Sequence, residues 1–370
     1  MASTHGSQSI YLISKRKKEQ AMPASQRNYQ SIDLMKYIAA LMVIGVHTKL
    51  FMPFSQLLNF AFANVLARIA VPFFFITSAY FLKRGIEHKT NYLQHYLLSL
   101  LKGYLIWSVL YLPVGINWIA DNYDLPFYLY PVALIVGLFY VGTYYHLWYI
   151  PALIIAILIV HWLLKKTNYP TLFAAAILLY GFGSLETYYG LITNPTLLAI
   201  VNRYMALFIT TRNGLFYGSI FVAIGFFLWD YQDKLQKIPY TKGLVVSIGL
   251  LMIEACFIFD KTRLDMNFLL SLVPLSFFLF IFLKETLIGF TFNSNRLRDY
   301  AKYYYFTHAF FLVLIPSLAQ LIDCQQLWDS QGLLRFGLTL LSTHLACLLL
   351  IHLKQQTTLP WKLSALLRHL

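Results

Sequence analysis

Long apolar runs recur along this 370-residue chain, and they constrain its fold more than any other feature. A helix needs roughly 20 apolar residues to cross the ~30 Å hydrocarbon core of a bilayer. Such runs fall at about 33–52, 58–82, 92–115, 146–164, 169–189, 214–230, 243–260, 266–284, 302–322 and 333–353. Only 12% of the residues are charged, against about a quarter in soluble domains, which excludes a soluble fold. The pattern predicts an all-α polytopic transmembrane helical bundle with about ten spans.

Basic residues indicate the orientation of this bundle. The formal net charge of +14 would suggest nucleic acid as the partner of a soluble protein. In membrane proteins, however, Lys and Arg concentrate in cytoplasmic loops. With both termini cytoplasmic, most of the 29 basic residues fall on the inner side. We therefore predict a multi-pass protein of the cell inner (plasma) membrane, with the lipid bilayer and not nucleic acid as a partner.

A further apolar stretch, 126–142, is interrupted by proline and glycine. Counting it as an eleventh span would place Lys165, Lys166 and several later basic loops outside, against the positive-inside rule. We predict a re-entrant or interfacial segment on the outer face, where surrounding protein shelters its backbone.

The polar ends of the chain define its predicted domain organisation. Residues 1–30 form a basic cytoplasmic tail, 31–355 the transmembrane domain, and 356–370 a short cytoplasmic tail that ends the chain without a further domain. The basic tail is not followed by an apolar run of signal-peptide length. The three cysteines lie singly in or beside apolar segments, so we expect no metal site.

The first predicted span carries Asp33 and Lys36 near its inner end and His47 in its outer half. The eleven residues between Lys36 and His47 correspond to about 16 Å of helix and a rotation about 20° past three full turns, so both side chains share one face. Separately, Lys36 could be an interfacial lysine that reaches the headgroups, and His47 a hydrogen-bonded bundle histidine. Together on one face they favour a buried polar track.

Arg68 lies within the second span, where an arginine keeps its charge and needs a partner or a hydrated cavity. A structural ion pair with Glu254 or Glu186 is the alternative to a functional role. Pro72 is expected to break the helix nearby and free backbone carbonyls.

Several other polar residues lie in or beside the spans. His146 and Trp148 occur in HLWYIPAL at the outer interface, and Arg212 and Asn213 occur in TTRNGLFYG at the outer start of the sixth span. His308 is placed near the inner end of the ninth span, in YYYFTHAFF. The third span contains Lys102 in LLKGYLIW.

These segments, in this order, resemble the acyltransferase-3 family of integral membrane O-acyltransferases over roughly residues 30–350. Lys36 and His47 in SIDLMKYIAALMVIGVHT match the first-span signature, and RIAVPFFFITSAYF resembles the second span, although Ala79 replaces the usual glycine. HLWYIPAL, TTRNGLFYG and YYYFTHAF also fit. The family often has an R-x-x-R pair near the third span, where this chain has Ser99 and Lys102.

The resemblance implies transfer of an acyl group, usually acetyl, from cytoplasmic acyl-coenzyme A to a hydroxyl of a cell-envelope glycan or lipid-linked saccharide. No cofactor would be tightly bound, since acetyl-CoA is a donor substrate. The chemistry assigns His47 as general base and Arg68 as stabiliser of the developing negative charge. Donor-binding candidates are Lys36, Lys102 and His308. Acceptor-side candidates are Asp33, His146, Trp148, Arg212, Asn213 and Glu254, the last of which could also orient His47.

A permease remains the alternative function, with the polar track as its path for a small polar molecule. Some segments, including TTRNGLFYG and LLKGYLIW, are also similar to the membrane domain of the vancomycin-resistance serine racemases, for which serine would be the cargo. Turnover of acetyl-CoA by the pure protein would separate the two interpretations.

Overall fold

The computed structural model describes residues 29–122, 126–286 and 292–355, and these residues form helices and connections with no strand among them. Of the predicted tails at 1–30 and 356–370, all but residues 29 and 30 lie outside the described residues, and Gln30 begins the first helix. The principal helices are α1 Gln30–His47, α2 Ala70–His88, α3 Tyr92–Asn122, α4 Tyr130–Val136, α5 Tyr149–Lys166, α6 Tyr169–Gly183, α7 Pro195–Phe208, α8 Ser219–Asp230, α9 Tyr240–Ile258, α10 Leu272–Glu285, α11 Ser294–Leu321 and α12 Gly332–Gln355.

Each of the ten predicted apolar segments overlaps one of these helices. Six helical segments of the described chain are long and apolar enough to cross a bilayer: the continuous segment Gln56–His88 that includes α2, and α3, α5, α9, α11 and α12. The other apolar helices are shorter or, like the 18-residue α1, less apolar. The structure thus supports a multi-pass helical membrane protein, while the count of ten spans stays a prediction. The outer faces of the long helices carry many exposed Leu, Ile and Val side chains, as contact with lipid requires.

Polar contacts join the helix ends that the sequence assigns to the inner side. Arg298 at the start of α11 donates to Asp33 at the start of α1 over 2.7 Å. Lys83 near the end of α2 pairs with Asp230 at the end of α8 over 3.3 Å. The starts of α1 and α11 therefore lie together, as do the ends of α2 and α8, as the predicted topology requires. Below, "inner" and "outer" follow the predicted orientation.

The second predicted span is irregular at its outer end. A short helical turn, Gln56–Asn59, continues into a π-helical turn at Phe60–Val65 and a 3₁₀ turn at Leu66–Ile69 before α2 begins. Regular α-helix is thus interrupted near Pro72, as expected, although Pro72 itself lies in the first turn of α2, where a proline is tolerated. The π and 3₁₀ turns upstream set the direction of Arg68.

Small residues allow α2 and α8 to pack closely at the centre of the bundle. A Cβ at Gly225 of α8 would overlap the Ile76 carbonyl and the Ala79 side chain of α2. Small residues at such positions let helix backbones approach in a membrane. Ala79, which replaces a glycine usual in the resembling family, is thus accommodated by a glycine on the facing helix.

The stretch 126–142 forms short helical pieces rather than a long helix. They comprise Phe127–Leu129, α4 and a π turn at Gly137–Val141. Tyr104 of α3 donates its hydroxyl to the Leu138 carbonyl over 2.7 Å, which satisfies part of this irregular backbone. A second short outer helix, α7, was not anticipated by the sequence analysis. Asn194 caps it and Pro195 begins it, and both are helix-start signals.

Candidate active site

A small polar cavity of about 90 Å³ lies in the outer half of the bundle. It is bounded by α1, the turns before α2, the start of α5 and the loop before α8. Its lining residues are Val43, Val46, His47, Ala67, Arg68, Val71, Phe74, Tyr145, His146, Trp148, Tyr149, Arg212, Asn267 and Tyr305. We call it the outer cavity. Five of the sequence-predicted site residues therefore line one space, although they lie on four separate segments of the chain.

Three histidines form a cluster in which His47 and His146 line the outer cavity and His308 packs against both of them. The ring centroids of His47 and His308 are 5.5 Å apart and nearly stacked, and those of His146 and His308 are 5.4 Å apart. Tyr145 packs on His47 with a centroid distance of 4.9 Å. In the described chain, His47 forms no side-chain hydrogen bond and no grouping of His, Cys, Asp and Glu is suited to hold a metal ion. The ring nitrogens of His47 are thus free to act on a hydroxyl in the cavity.

Backbone contacts fix the tautomer of His308. Its Nδ1 lies 2.7 Å from the Tyr304 carbonyl, which can only accept, so Nδ1 carries the proton. Nε2 is then an acceptor in the neutral ring, and it is buried without a partner among the described residues. Both ring nitrogens of His146 are likewise buried and unpartnered there. Buried polar groups normally have hydrogen-bond partners, so this cluster has the character of a site for a polar ligand or water.

Arg68 is held at the cavity wall by two amide side chains. It donates to Asn267 and to Asn64, each over 2.9 Å. Asn267 is in turn held through its backbone N–H, which donates to Asp265 over 2.6 Å. The alternative that Arg68 pairs with Glu254 or Glu186 is wrong, because its hydrogen bonds go to these neutral amides. The positive charge of Arg68 is therefore oriented without being neutralised by direct contact.

Arg212 lies at the rim of the same cavity. Its guanidinium is 5.2 Å from the ring centroid of Trp148 and 3.5 Å from a carboxylate oxygen of Asp265. Asn213, the next residue, accepts from the N–H groups of Leu215 and Phe216. This cap begins the π turn Gly214–Gly218 ahead of α8 and thereby fixes the backbone on which Arg212 stands.

The turn before α5 brings His146 and Trp148 inward. Gly142 has a φ of +87°, which favours glycine, and a Cβ there would overlap the Trp148 backbone nitrogen. Tyr305 of α11 donates its hydroxyl to the His146 carbonyl over 2.9 Å. His146 therefore lies in this turn, before the first residue of α5, and is 4% exposed.

A second cavity of about 290 Å³ lies in the inner half of the bundle, and we call it the inner cavity. It contains three cationic side chains, those of Lys36, Arg298 and Lys302, and no carboxylate among its lining residues. Asp33 lies behind this wall, 2.7 Å from Arg298 and 3.8 Å from Lys36. Ser78 and Ser99 add hydroxyl groups to the wall.

Three aromatic side chains separate the two cavities. Phe74, Tyr149 and Tyr305 line both of them, so this aromatic wall is one side chain thick. Ring centroids in the wall are 6.3 Å apart for Phe74 and Tyr149 and 5.8 Å apart for Tyr149 and Tyr305. The Tyr149 hydroxyl is 3.2 Å from that of Ser78 on the inner side.

Other predicted site residues lie elsewhere. Lys102 is exposed on α3 and does not line the inner cavity. Glu254 accepts from the Leu270 and Ser271 N–H groups at the start of α10, and also from Tyr188, which leaves it away from His47. His308 was expected near the inner end of its span. It lies at mid-helix instead, because α11 begins at Ser294, before the apolar run does.

Sequence reasoning missed several residues of this site. Asn64 carried a detectable signal, since it precedes Arg68 by four residues and lies on the same helical face. Asn267 and Asp265 carried none, because they stand in a loop whose position depends on the packing of α9 and α10. Tyr305 was missed because it stands in a run of aromatic residues, YYYF, none of which the sequence distinguishes from the others.

Comparison with known proteins agrees with this architecture. A family model described as an acyltransferase domain matches residues 29–352. Relatives include two Enterococcus faecalis proteins named amino-acid racemase, one 32% identical over 64% of this chain and 32% of its own length, and one 27% identical over 88% and 46%. A serine/alanine racemase from Enterococcus gallinarum is 28% identical over 68% of this chain and 36% of its own length.

The chain thus spans between about a third and about a half of the length of these relatives. No solved structure matches it. The family match covers most of the chain and includes all of the residues that line the two cavities. On that ground, the chain belongs to the acyltransferase-3 family of membrane proteins.

Proposed function

We propose that this protein is a membrane O-acyltransferase that takes an acyl group, acetyl in the simplest case, from cytoplasmic acyl-coenzyme A. It passes that group to a hydroxyl of a cell-envelope glycan or lipid-linked saccharide on the outer side. The observation that carries the proposal is the pair of cavities along α1, one with three cations and one with His47 and Arg68, separated by the aromatic wall.

The inner cavity suits the donor. Coenzyme A carries phosphates, and cationic side chains bind phosphate oxygens through charge-assisted hydrogen bonds. Lys36, Arg298 and Lys302 would hold these phosphates, with the pantetheine arm directed toward the aromatic wall. From Lys36 to His47 the arm covers about 16 Å along α1. The thioester reaches the outer cavity when Tyr149 and its neighbours in the wall turn aside.

The outer cavity suits the transfer step. His47 accepts the proton of the acceptor hydroxyl, whose oxygen attacks the thioester carbonyl. Arg68, fixed by Asn64 and Asn267, stabilises the oxyanion of the tetrahedral intermediate. The carbon–sulfur bond then breaks, and the thiolate takes up the proton from His47 and leaves as free coenzyme A. His308, whose Nε2 has no partner among the described residues, packs beside the His47 ring.

Acetyl transfer by the purified protein in lipid nanodiscs tests this proposal. Release of free coenzyme A should depend on a glycan acceptor, and His47→Ala should lower it by roughly 10²- to 10⁴-fold, the usual contribution of a general base. His161→Ala is a matched control, because His161 lies on α5 and does not line either cavity. Unchanged transfer by His47→Ala protein that is folded and inserted would refute the role of His47.

A permease for a small polar molecule such as serine is the second candidate. Serine is a candidate cargo because a relative that contains a region similar to this chain is named serine/alanine racemase. The aromatic wall would then be the barrier that the cargo passes. Uptake of labelled serine into proteoliposomes, without any turnover of acetyl-CoA, would favour the permease over the transferase.

A further inference from the structure

Charge on the wall of the outer cavity points to the chemistry of its ligand. Two guanidinium groups, those of Arg68 and Arg212, belong to the lining, and no carboxylate does. The nearest carboxylates stand behind the wall. Asp265 contacts Arg212 and the backbone of Asn267, while Glu186 accepts from the backbone and hydroxyl of Thr211, each over 2.6 Å. A molecule in the cavity therefore meets cationic side chains first.

The guanidinium groups of Arg68 and Arg212 differ in how many hydrogen bonds they donate. Arg68 makes two short hydrogen bonds to amides. The side chain of Arg212 makes no hydrogen bond within the described residues, and its contact with Asp265 is a loose 3.5 Å ion pair. Its Nε, like that of Arg68, is buried without a partner there. A guanidinium carries five N–H donors in a planar fork, so Arg212 retains the capacity to bind two coplanar oxygens.

The position of Arg212 assigns it to the acceptor side. Its side chain is 34% exposed, so it stands at the opening of the cavity, while stacking on Trp148 limits where its fork can point. His146, 4% exposed and with both ring nitrogens unpartnered, lines the same cavity deeper inside. A ligand held at its edge by Arg212 would extend inward toward these histidines.

We propose that the outer cavity selects an acceptor that carries a carboxylate close to the hydroxyl that is acylated. Arg212 binds the carboxylate at the opening, and the hydroxyl points to His47. Resting on the proposed transferase function, this inference narrows the acceptor to acidic sugars and other hydroxy acids. Arg212 is then the residue that determines acceptor specificity. The Asp265 carboxylate competes with the acceptor carboxylate for the Arg212 guanidinium and so lowers the affinity for acids.

Binding of acids and their neutral analogues, without any donor, tests the inference. Isothermal titration of the full-length protein in nanodiscs would compare glycerate with glycerol and galacturonate with galactose. We expect each acid to bind at least tenfold more tightly than its neutral analogue, as one additional charge-assisted hydrogen-bond pair provides. The ratio of the affinities for an acid and its neutral analogue should fall about tenfold or more in Arg212→Gln. It should be unchanged in Arg203→Gln, because Arg203 is exposed on α7.

A second variant separates recognition from a structural role. Asp265→Asn removes the carboxylate that competes for Arg212 and should raise the affinity for acids. If the Arg212–Asp265 pair were purely structural, Arg212→Gln and Asp265→Asn would both lower that affinity. Equal binding of acids and neutral analogues, including no binding of either, would overturn the inference. So would an equal loss in Arg203→Gln. His47→Ala should keep acid binding while losing transfer, so failure of this inference and failure of the transferase proposal give different results.

Discussion

Lys36→Ala offers the sharpest test of the donor site. Lys36 lines the inner cavity, while its contact with Asp33 is a long 3.8 Å, and Asp33 keeps Arg298 at 2.7 Å when Lys36 is removed. The fold should therefore tolerate the change. A lost hydrogen bond to a charged group costs about 1.5–3 kcal/mol. At about 1.4 kcal/mol for each factor of ten, this predicts a rise of roughly 10- to 150-fold in the KM for acetyl-CoA.

Turnover should change little, because Lys36 lies about 16 Å along α1 from His47 and does not touch the reacting atoms. The assay is steady-state release of coenzyme A at varied donor concentration and saturating acceptor. Lys102→Ala is the matched control, since it removes the same charge from an exposed position on α3 outside the inner cavity. The reasoning is refuted by an unchanged donor KM in Lys36→Ala, or by an equal rise in Lys102→Ala.

Three further predictions follow from the described contacts. His308→Ala should lower kcat with little change in either KM, because His308 adjoins His47 without lining the cavity; a pure rise in KM would contradict this. Asn267→Asp should reduce turnover at least tenfold, because a carboxylate 2.9 Å from Arg68 neutralises its charge and also replaces an amide that donates to Asp265, whereas full activity would exclude Arg68 as the oxyanion partner. Membrane orientation can be tested with single cysteines at Thr90 and Asp121, both exposed, in a protein whose native cysteines have been replaced. A membrane-impermeant thiol reagent applied outside should label Asp121→Cys and not Thr90→Cys, and the reverse pattern would contradict the predicted orientation.

The aromatic wall is the part of the molecule on which the two candidate functions differ most. A transferase needs only the acyl end of the donor to pass Phe74, Tyr149 and Tyr305, while the remainder of coenzyme A stays at the inner cavity. A permease needs the whole cargo to pass. The hydrogen bond between Tyr149 and Ser78 and that between Tyr305 and the His146 carbonyl hold the wall closed in this conformation.

The sequence by itself determined the class of the protein and the location of its long helices. Apolar length and the scarcity of charge are local properties of a segment, and lipid accepts only backbone that satisfies its own hydrogen bonds, so each apolar run became helical. The expectation that Lys36 and His47 share one face follows from the period of the single helix that carries both, and the structure places them in the inner and the outer cavity respectively.

Tertiary structure alone decided which of the remaining polar residues meet. His308 reaches His47 because α11 starts before its apolar run and packs along α1, and Arg68 finds Asn267 because the loop before α10 folds over the turns before α2. Lys102 and Glu254 looked equivalent to these residues in the sequence, yet one faces outward on α3 and the other caps α10. The side toward which a polar residue in an apolar span points depends on packing between helices distant in sequence, which the residue's own segment does not encode.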